Sequence, residues 1–133
     1  MFGKKSENKP SGRIDSLIGA GTRVEGSIRF AGGLRIDGEV VGSVEAAEGA
    51  SSSTLVISEH ARVEGAVCVA HLVTNGMVVG PVTVSESLEM QSKARIVGDV
   101  DYAMIEMHQG AAVEGHLVHR GGKSVELKLA ASN

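Results

Sequence analysis

Residues 88–117 read LEMQSKARIVGDVDYAMIEMHQGAAVEGHL, and they state one pattern twice, seventeen positions apart. Leu88 answers to Ile105, Met90 to Met107, Ile96 to Val113, Gly98 to Gly115 and Val100 to Leu117. Four apolar matches and one glycine match at a single offset point to stacked structural repeats, each burying its apolar face against its neighbours. Inside a repeat the apolar residues come in i, i+2 pairs, the spacing that puts two side chains on one face of a strand. Leu88/Met90, Ala94/Ile96 and Val100/Tyr102 are three such pairs, with three residues between each. The pattern predicts three short strands per turn joined by tight corners: an all-β, triangular parallel β-helix. Each strand pairs with its counterparts one turn away at about 4.8 Å, around a narrow apolar interior. Gly98 and Gly115 suit a corner that needs positive φ.

The same grammar extends towards the N-terminus. Third-face pairs recur as Ile28/Phe30, Val44/Ala46, Val67/Val69, Val82/Val84, Val100/Tyr102 and Leu117/His119, with steps of 16, 23, 15, 18 and 17 residues. First-face pairs Leu34/Ile36, Leu55/Ile57, Leu72/Thr74, Leu88/Met90 and Ile105/Met107 keep the same order. The long step contains Ala47 to Ser53, AEGASSS, a turn-forming segment that reads as a surface loop inserted at a corner. Six turns, most of 15–18 residues, make a stack about 29 Å tall at the strand spacing.

Composition agrees. A chain of 133 residues has room for one domain. Aromatics at 2% are poor material for a globular core, whereas 18 glycines suit a thin coil with many corners. The single cysteine, Cys68, excludes an intramolecular disulfide, fits a reducing compartment and is expected to point outward as an inert thiol. Charge is unevenly spread: Lys4, Lys5, Lys9 and Arg13 against Glu7 give residues 1–13 a net +3, within a chain of net −3. These residues read as a disordered basic tail, residues 14–119 as the β-helix, and residues 120–133 as a flexible tail or loose extra strand. Neither a signal peptide nor a transmembrane run is present, so the expected location is cytoplasmic.

The polar positions also repeat. Arg23-Val24-Glu25-Gly26, Arg35-Ile36-Asp37-Gly38, Arg62-Val63-Glu64-Gly65 and Arg95-Ile96-Val97-Gly98 set a cation before, and usually an acid after, an inward aliphatic. A self-compensating solvated face explains them better than a phosphate-binding stripe, and the acidic body argues against nucleic acid. No catalytic site, cofactor site or metal site is expected. His60, His71, His108, His116 and His119 fall at no metal-ligand spacing, and none carries the flanking carboxylate pattern of a triad. An aliphatic at every sixth position, as left-handed acyltransferase helices require, begins with Val24, Phe30 and Ile36 but fails at Gly42. A β-helix enzyme or carbohydrate-binding module is the alternative to a structural role; a filled interior and an exterior without an acid pair or aromatic platform favour the structural one.

Nothing helical precedes Ile18, and only the short alternating Val125-Glu126-Leu127-Lys128-Leu129 follows the last turn. Solenoid ends without polar caps invite end-to-end pairing. Through these turns, especially GGLRIDGEVVGSV (Gly32 to Val44) and ARVEGAV (Ala61 to Val67), and through its MFGKK start, the chain resembles the bactofilins, polymer-forming bacterial cytoskeletal proteins. That resemblance implies a right-handed β-helix that assembles without nucleotide into non-polar filaments. It further implies a position at the inner face of the cytoplasmic membrane, as a scaffold for cell-wall-modifying, morphogenesis or polarity proteins. Many members carry an aromatic in the last turn where this chain has Val113, and the proline-rich tails of some members are missing. The expected polymer interface is Ile18, Val24 and Ile28 at one end and Met107, Val113 and Leu117 at the other, with a second copy of the chain as partner. Phe2, Lys4 and Lys5 are the expected contact with anionic membrane lipids.

Overall fold

The computed structural model describes residues 14–47 and 52–119. Each strand is three or four residues long wherever a glycine or turn former follows its inward pair, and longer where none does. The first turn holds β1 (Ser16–Ile18), β2 (Arg23–Glu25) and β3 (Ile28–Phe30). The second holds β4 (Gly33–Ile36), β5 (Glu39–Val41) and β6 (Val44–Ala46). The third holds β7 (Thr54–Ile57) and β8 (Arg62–Glu64) and opens β9 (Val67–Thr74), which runs on into the fourth. There follow β10 (Met77–Val79), β11 (Val82–Met90), β12 (Arg95–Val97), β13 (Val100–Met107), β14 (Ala112–Glu114) and β15 (Leu117–His119). All pairings are parallel and link successive turns, forming a β-solenoid of about six turns.

The expected register is the observed one. Leu88 lies opposite Ile105 and Met90 opposite Met107; Ile96 pairs with Val113 and Val100 with Leu117. Each face contributes inward pairs; a column on the first face begins at Ser16 and continues through Leu34, Leu55, Leu72, Leu88 and Ile105, and three further inward columns, one on each face, run through all six turns. One runs Ile18, Ile36, Ile57, Thr74, Met90, Met107. Another runs Val24, Val40, Val63, Val78, Ile96, Val113. The last runs Ile28, Val44, Val67, Val82, Val100, Leu117. Middle members of all three columns are fully buried, each worth about 1.5–3 kcal/mol relative to exposure. The polar member, Thr74, is also fully buried, and its Oγ1 accepts a hydrogen bond from the Gly76 N–H at 3.2 Å. Its hydroxyl therefore meets the requirement that a buried polar group be paired.

Two expectations need correction. Only two of the three corners are turns throughout the stack. The third and first faces join into one 9-stranded sheet, against 6 strands in the other, because Val69-Ala70-His71-Leu72 and Tyr102-Ala103-Met104-Ile105 contain no residue that breaks a ladder. The chain bends within β9, β11 and β13, and β11 absorbs an extra residue as a register shift between Val84 and Ser87. Secondly, the four arginine quartets, expected on a self-compensating solvated face, divide between two faces. Arg23, Arg62 and Arg95 share the second face with Glu39 and Met77, whereas Arg35 lies on the first face, opposite Leu17 and Val56. Sequence spacing alone cannot separate an Arg-aliphatic-acid-Gly that precedes one corner from the same motif preceding the next.

Uneven step lengths have a local cause. Between the first and second faces, Gly19–Thr22, Ser58–Ala61, Gln91–Ala94 and His108–Ala111 are wide corners closed by hydrogen bonds of 3.0–3.1 Å from the fourth residue's N–H to the first residue's carbonyl. Asp37-Gly38 and Asn75-Gly76 are narrow ones. β6 ends at Ala46 and Thr54 stands in register opposite Gly33; residues 48–51 of the expected surface loop lie outside the described residues, and Ser53 at its end is fully buried, its Oγ accepting a hydrogen bond from the Ala70 N–H at 3.2 Å.

Candidate assembly surfaces

The six residues expected to form the polymer interface are the terminal members of three interior columns, one on each face. Ile18, Val24 and Ile28 lie at one end, one from each face, half-buried and packed against the core. Met107, Val113 and Leu117 lie at the other; Val113 packs against the core, while Met107 and Leu117 are each 41% exposed. Both sets follow from register: a residue with a neighbour on one side only keeps half its environment. No strand among the described residues covers β1, β2 and β3 on one side, or β14, β15 and residues 104–107 of β13 on the other. Each end therefore offers a ladder edge around an apolar cross-section, the arrangement that pairs with another chain.

Sequence reasoning missed a rim of apolar residues around these ends. Leu17 is 60% exposed and Ile14 40% at the first end; Met104 is 67% and Val118 50% at the second. Alternation marks Leu17, Met104 and Val118 as outward positions, Ile14 precedes the first strand, and only the fold shows that all four gather at the two extremities. Tyr102 and His119 pack with ring centroids 5.5 Å apart at the second end, where His119 Nε2 lies 2.9 Å from the Ala103 carbonyl oxygen.

The lateral surface is largely self-neutralising. Arg23 pairs with Glu25 at 2.9 Å and with Glu39, one turn on, at 3.1 Å, and the hydrogen bond it donates to Glu25, followed by the charge of Glu39, raises its pKa. Arg29 meets Glu45, Arg35 Asp37, Arg62 Glu64 and Arg95 Glu114. At the last corner, Asp99 Oδ1 accepts from the His116 N–H at 3.0 Å and faces its Nδ1 at 3.1 Å. The backbone donor first, and the ring second, hold the Asp99 carboxyl below its ordinary pKa.

One cluster departs from this pattern. Glu89 and Glu106 lie directly opposite each other across β11 and β13, and His108 Nε2 sits 3.5 Å from the first and 3.0 Å from the second. Their ligand atoms lie within 4.8 Å of one another, so these three residues have the donor set to touch a divalent cation. Elsewhere, His71 Nδ1 and Ser87 Oγ are 2.9 Å apart, but among the described residues no carboxylate hydrogen-bonds to His71 to make a triad. A groove of about 560 Å³ runs beside the narrow corners, lined by Arg35, Asp37, Ser58, His60 and Asn75 among others; Asp37 there is already paired with Arg35. Cys68 is exposed, as expected. Phe2, Lys4 and Lys5 lie outside the described residues, as do residues 120–133. Among the described residues no helix is long and apolar enough to cross a membrane.

The model of the bactofilin family, described as polymer-forming and cytoskeletal, matches residues 16–118, nearly the whole described solenoid. Bactofilin BacP of Myxococcus xanthus (strain DK1622) is 26% identical over 112 residues, a span that takes in 84% of this chain and 45% of the relative. The chain thus corresponds to less than half of that protein's length. No solved structure matches.

Proposed function

The chain belongs to the bactofilin family, a structural, polymer-forming cytoskeletal family, and from that premise we propose that it assembles end to end, without nucleotide, into non-polar filaments. The observation that supports this reading most directly is the pair of open ends. Three interior columns, one on each face, terminate at each end in an aliphatic or methionine side chain, beside strand edges that no described residue covers; the first-face column through Leu34 ends in Ser16 and Ile105. A junction with about ten ladder hydrogen bonds, at roughly 0.5–1.5 kcal/mol net each, adds side-chain burial to that sum. The total is enough to offset an association cost of about 4–15 kcal/mol. Nucleotide has no part in this energetics, since the contact uses only the ladder hydrogen bonds and apolar burial that already hold one turn on the next.

Filaments would lie at the inner face of the cytoplasmic membrane, attached through Phe2, Lys4 and Lys5, and would serve as a scaffold for cell-wall-modifying, morphogenesis or polarity proteins. Lateral ion pairs between turns keep the sides soluble and direct association to the ends.

Charge placed at one end tests both assembly and polarity. An arginine at Val24, or separately at Leu117, buries an unpaired charge at that end's junction, a cost of several kcal/mol. In a filament where like end meets like end, each single variant retains its other junction and should run as a dimer in analytical ultracentrifugation, with the β-rich circular dichroism of the wild type; the double variant should be a monomer. Monomers from each single variant would mean head-to-tail, polar filaments. Wild-type protein that stays monomeric at micromolar concentration by negative-stain electron microscopy would end the scaffold reading.

A further inference from the structure

We propose that residues 125–129 add a seventh-turn strand to the edge left open by β13, with Leu127 over Ile105, Lys128 beside Glu106 and Leu129 over Met107, and that this strand competes with end-to-end assembly at the same edge. The competition rests on the assembly reading above; the strand itself does not.

Four observations carry it. The described chain ends at His119 on the third face, opposite Tyr102, and in β13 Tyr102 leads straight into Ile105 and Met107. Residues after 119 are thus delivered to the edge in question. That edge has an apolar side to cover, since Met107 is 41% exposed and Ile105 only partly buried against the core. The segment Val125-Glu126-Leu127-Lys128-Leu129 has the alternation of a strand with one apolar face. Lastly, this corner already tolerates an excursion: residues 47–53 intervene between β6 and β7, and Thr54 returns in register opposite Gly33. With Leu127 over Ile105, Glu126 takes the place that Thr54 holds four turns earlier in the stack, and residues 120–125, with Gly121-Gly122, span a gap one residue shorter than 47–53.

Charge selects the register. Glu89 and Glu106 stack on one another, and among the described residues they pair with His108 but with no lysine or arginine, unlike the neutralised acids elsewhere on the surface. Like charges directly opposite on a ladder are unfavourable. With Leu127 over Ile105, Lys128 continues that outward column and supplies the missing cation. Two residues out of register, with Val125 over Ile105, Glu126 would become a third stacked acid. The apolar pattern allows both registers, and the electrostatics favour the first.

Disulfide trapping tests this in the full-length chain. In a Cys68→Ser background, Glu106→Cys with Lys128→Cys should oxidise within the chain at least tenfold faster than Glu106→Cys with Glu126→Cys, since directly opposed residues meet disulfide geometry. Mass spectrometry of mixed isotopically labelled and unlabelled protein separates intrachain from interchain bonds. Equal rates for the two pairs, or interchain bonds only, would overturn the strand. Sedimentation reads the competition independently: Leu127→Asp with Leu129→Asp should lower the concentration at which polymer pellets several-fold, and the oxidised 106–128 chain should stop at dimers until reduced. An unchanged threshold in the double variant would overturn the competition, whatever the trapping result. If no variant polymerises, wild type included, the assembly reading fails while the trapping result stands.

Discussion

Gly98 lies against the carbonyl oxygen of Gly80: a Cβ at position 98 would approach that oxygen to 2.5 Å. Gly26, Gly42, Gly65, Gly80, Gly98 and Gly115 occupy the same corner in successive turns, all at positive φ, and each from Gly42 onward sits over the glycine before it. Backbone therefore packs on backbone along the whole edge of the coil, which is what permits the strand spacing there. Gly98→Ala combines a φ of 144° that L side chains rarely adopt with this overlap. We expect a loss of about 2–4 kcal/mol, read as a lower midpoint in guanidinium unfolding; a change under half that would mean the corner relaxes freely.

Thr74 is the position where greater hydrophobicity should do harm. Thr74→Val keeps the shape and adds an apolar methyl to a wholly apolar column, yet it strands the buried Gly76 N–H that now donates to the Thr74 hydroxyl. A destabilisation of about 1–3 kcal/mol is expected, and equal or raised stability by chemical denaturation would show that water or a shifted corner satisfies that donor.

Acid should loosen the last corner. The Asp99 pKa is depressed, chiefly by the His116 backbone N–H, so its ionised form is favoured in the folded state. The resulting contribution is complete above the unfolded carboxylate pKa of about 3.9 and disappears as pH falls through the lower folded value. Asp99→Asn lacks it at every pH. The difference in melting temperature between wild type and Asp99→Asn should be constant from pH 7 to 5 and vanish near pH 2; a difference that grows towards acid would reverse the assignment.

Membrane attachment should depend on assembly. Burying the Phe2 ring is worth roughly 1.5–3 kcal/mol, and Lys4 and Lys5 near an anionic surface add about 1 kcal/mol each. The sum corresponds to a dissociation constant of roughly millimolar order, negligible for one chain but amplified when a filament presents many tails. Phe2→Ala, or reversal of Lys4 and Lys5, should release filaments from anionic liposomes in a sedimentation assay without dissolving them. The Val24→Arg, Leu117→Arg double variant should lose liposome binding with its tail intact. Full pelleting of that double variant would show that the tail binds alone and that avidity is not the mechanism.

Much of this molecule was legible from spacing. Inward pairs such as Leu88/Met90 and Ile105/Met107 fixed strand, face and register together, because a parallel coil stacks like on like and a slip of one residue turns every side chain to the wrong side. The same reading located Gly98 at its corner and named the ends of three interior columns. What spacing could not show is anything set by which corner a motif precedes. Arg35-Ile36-Asp37-Gly38 reads like Arg62-Val63-Glu64-Gly65, yet one lies on the first face and the other on the second. Nor does alternation distinguish a corner from a bend, so the continuous strands β9, β11 and β13 emerge only in three dimensions. Tertiary structure alone brought Glu89, Glu106 and His108 together and gathered Leu17, Ile14, Met104 and Val118 at the two ends, because outward residues meet according to how the turns stack and where they stop. The sequence determined the repeat, since burial repeats with it; the stacking decided which surface residues became neighbours.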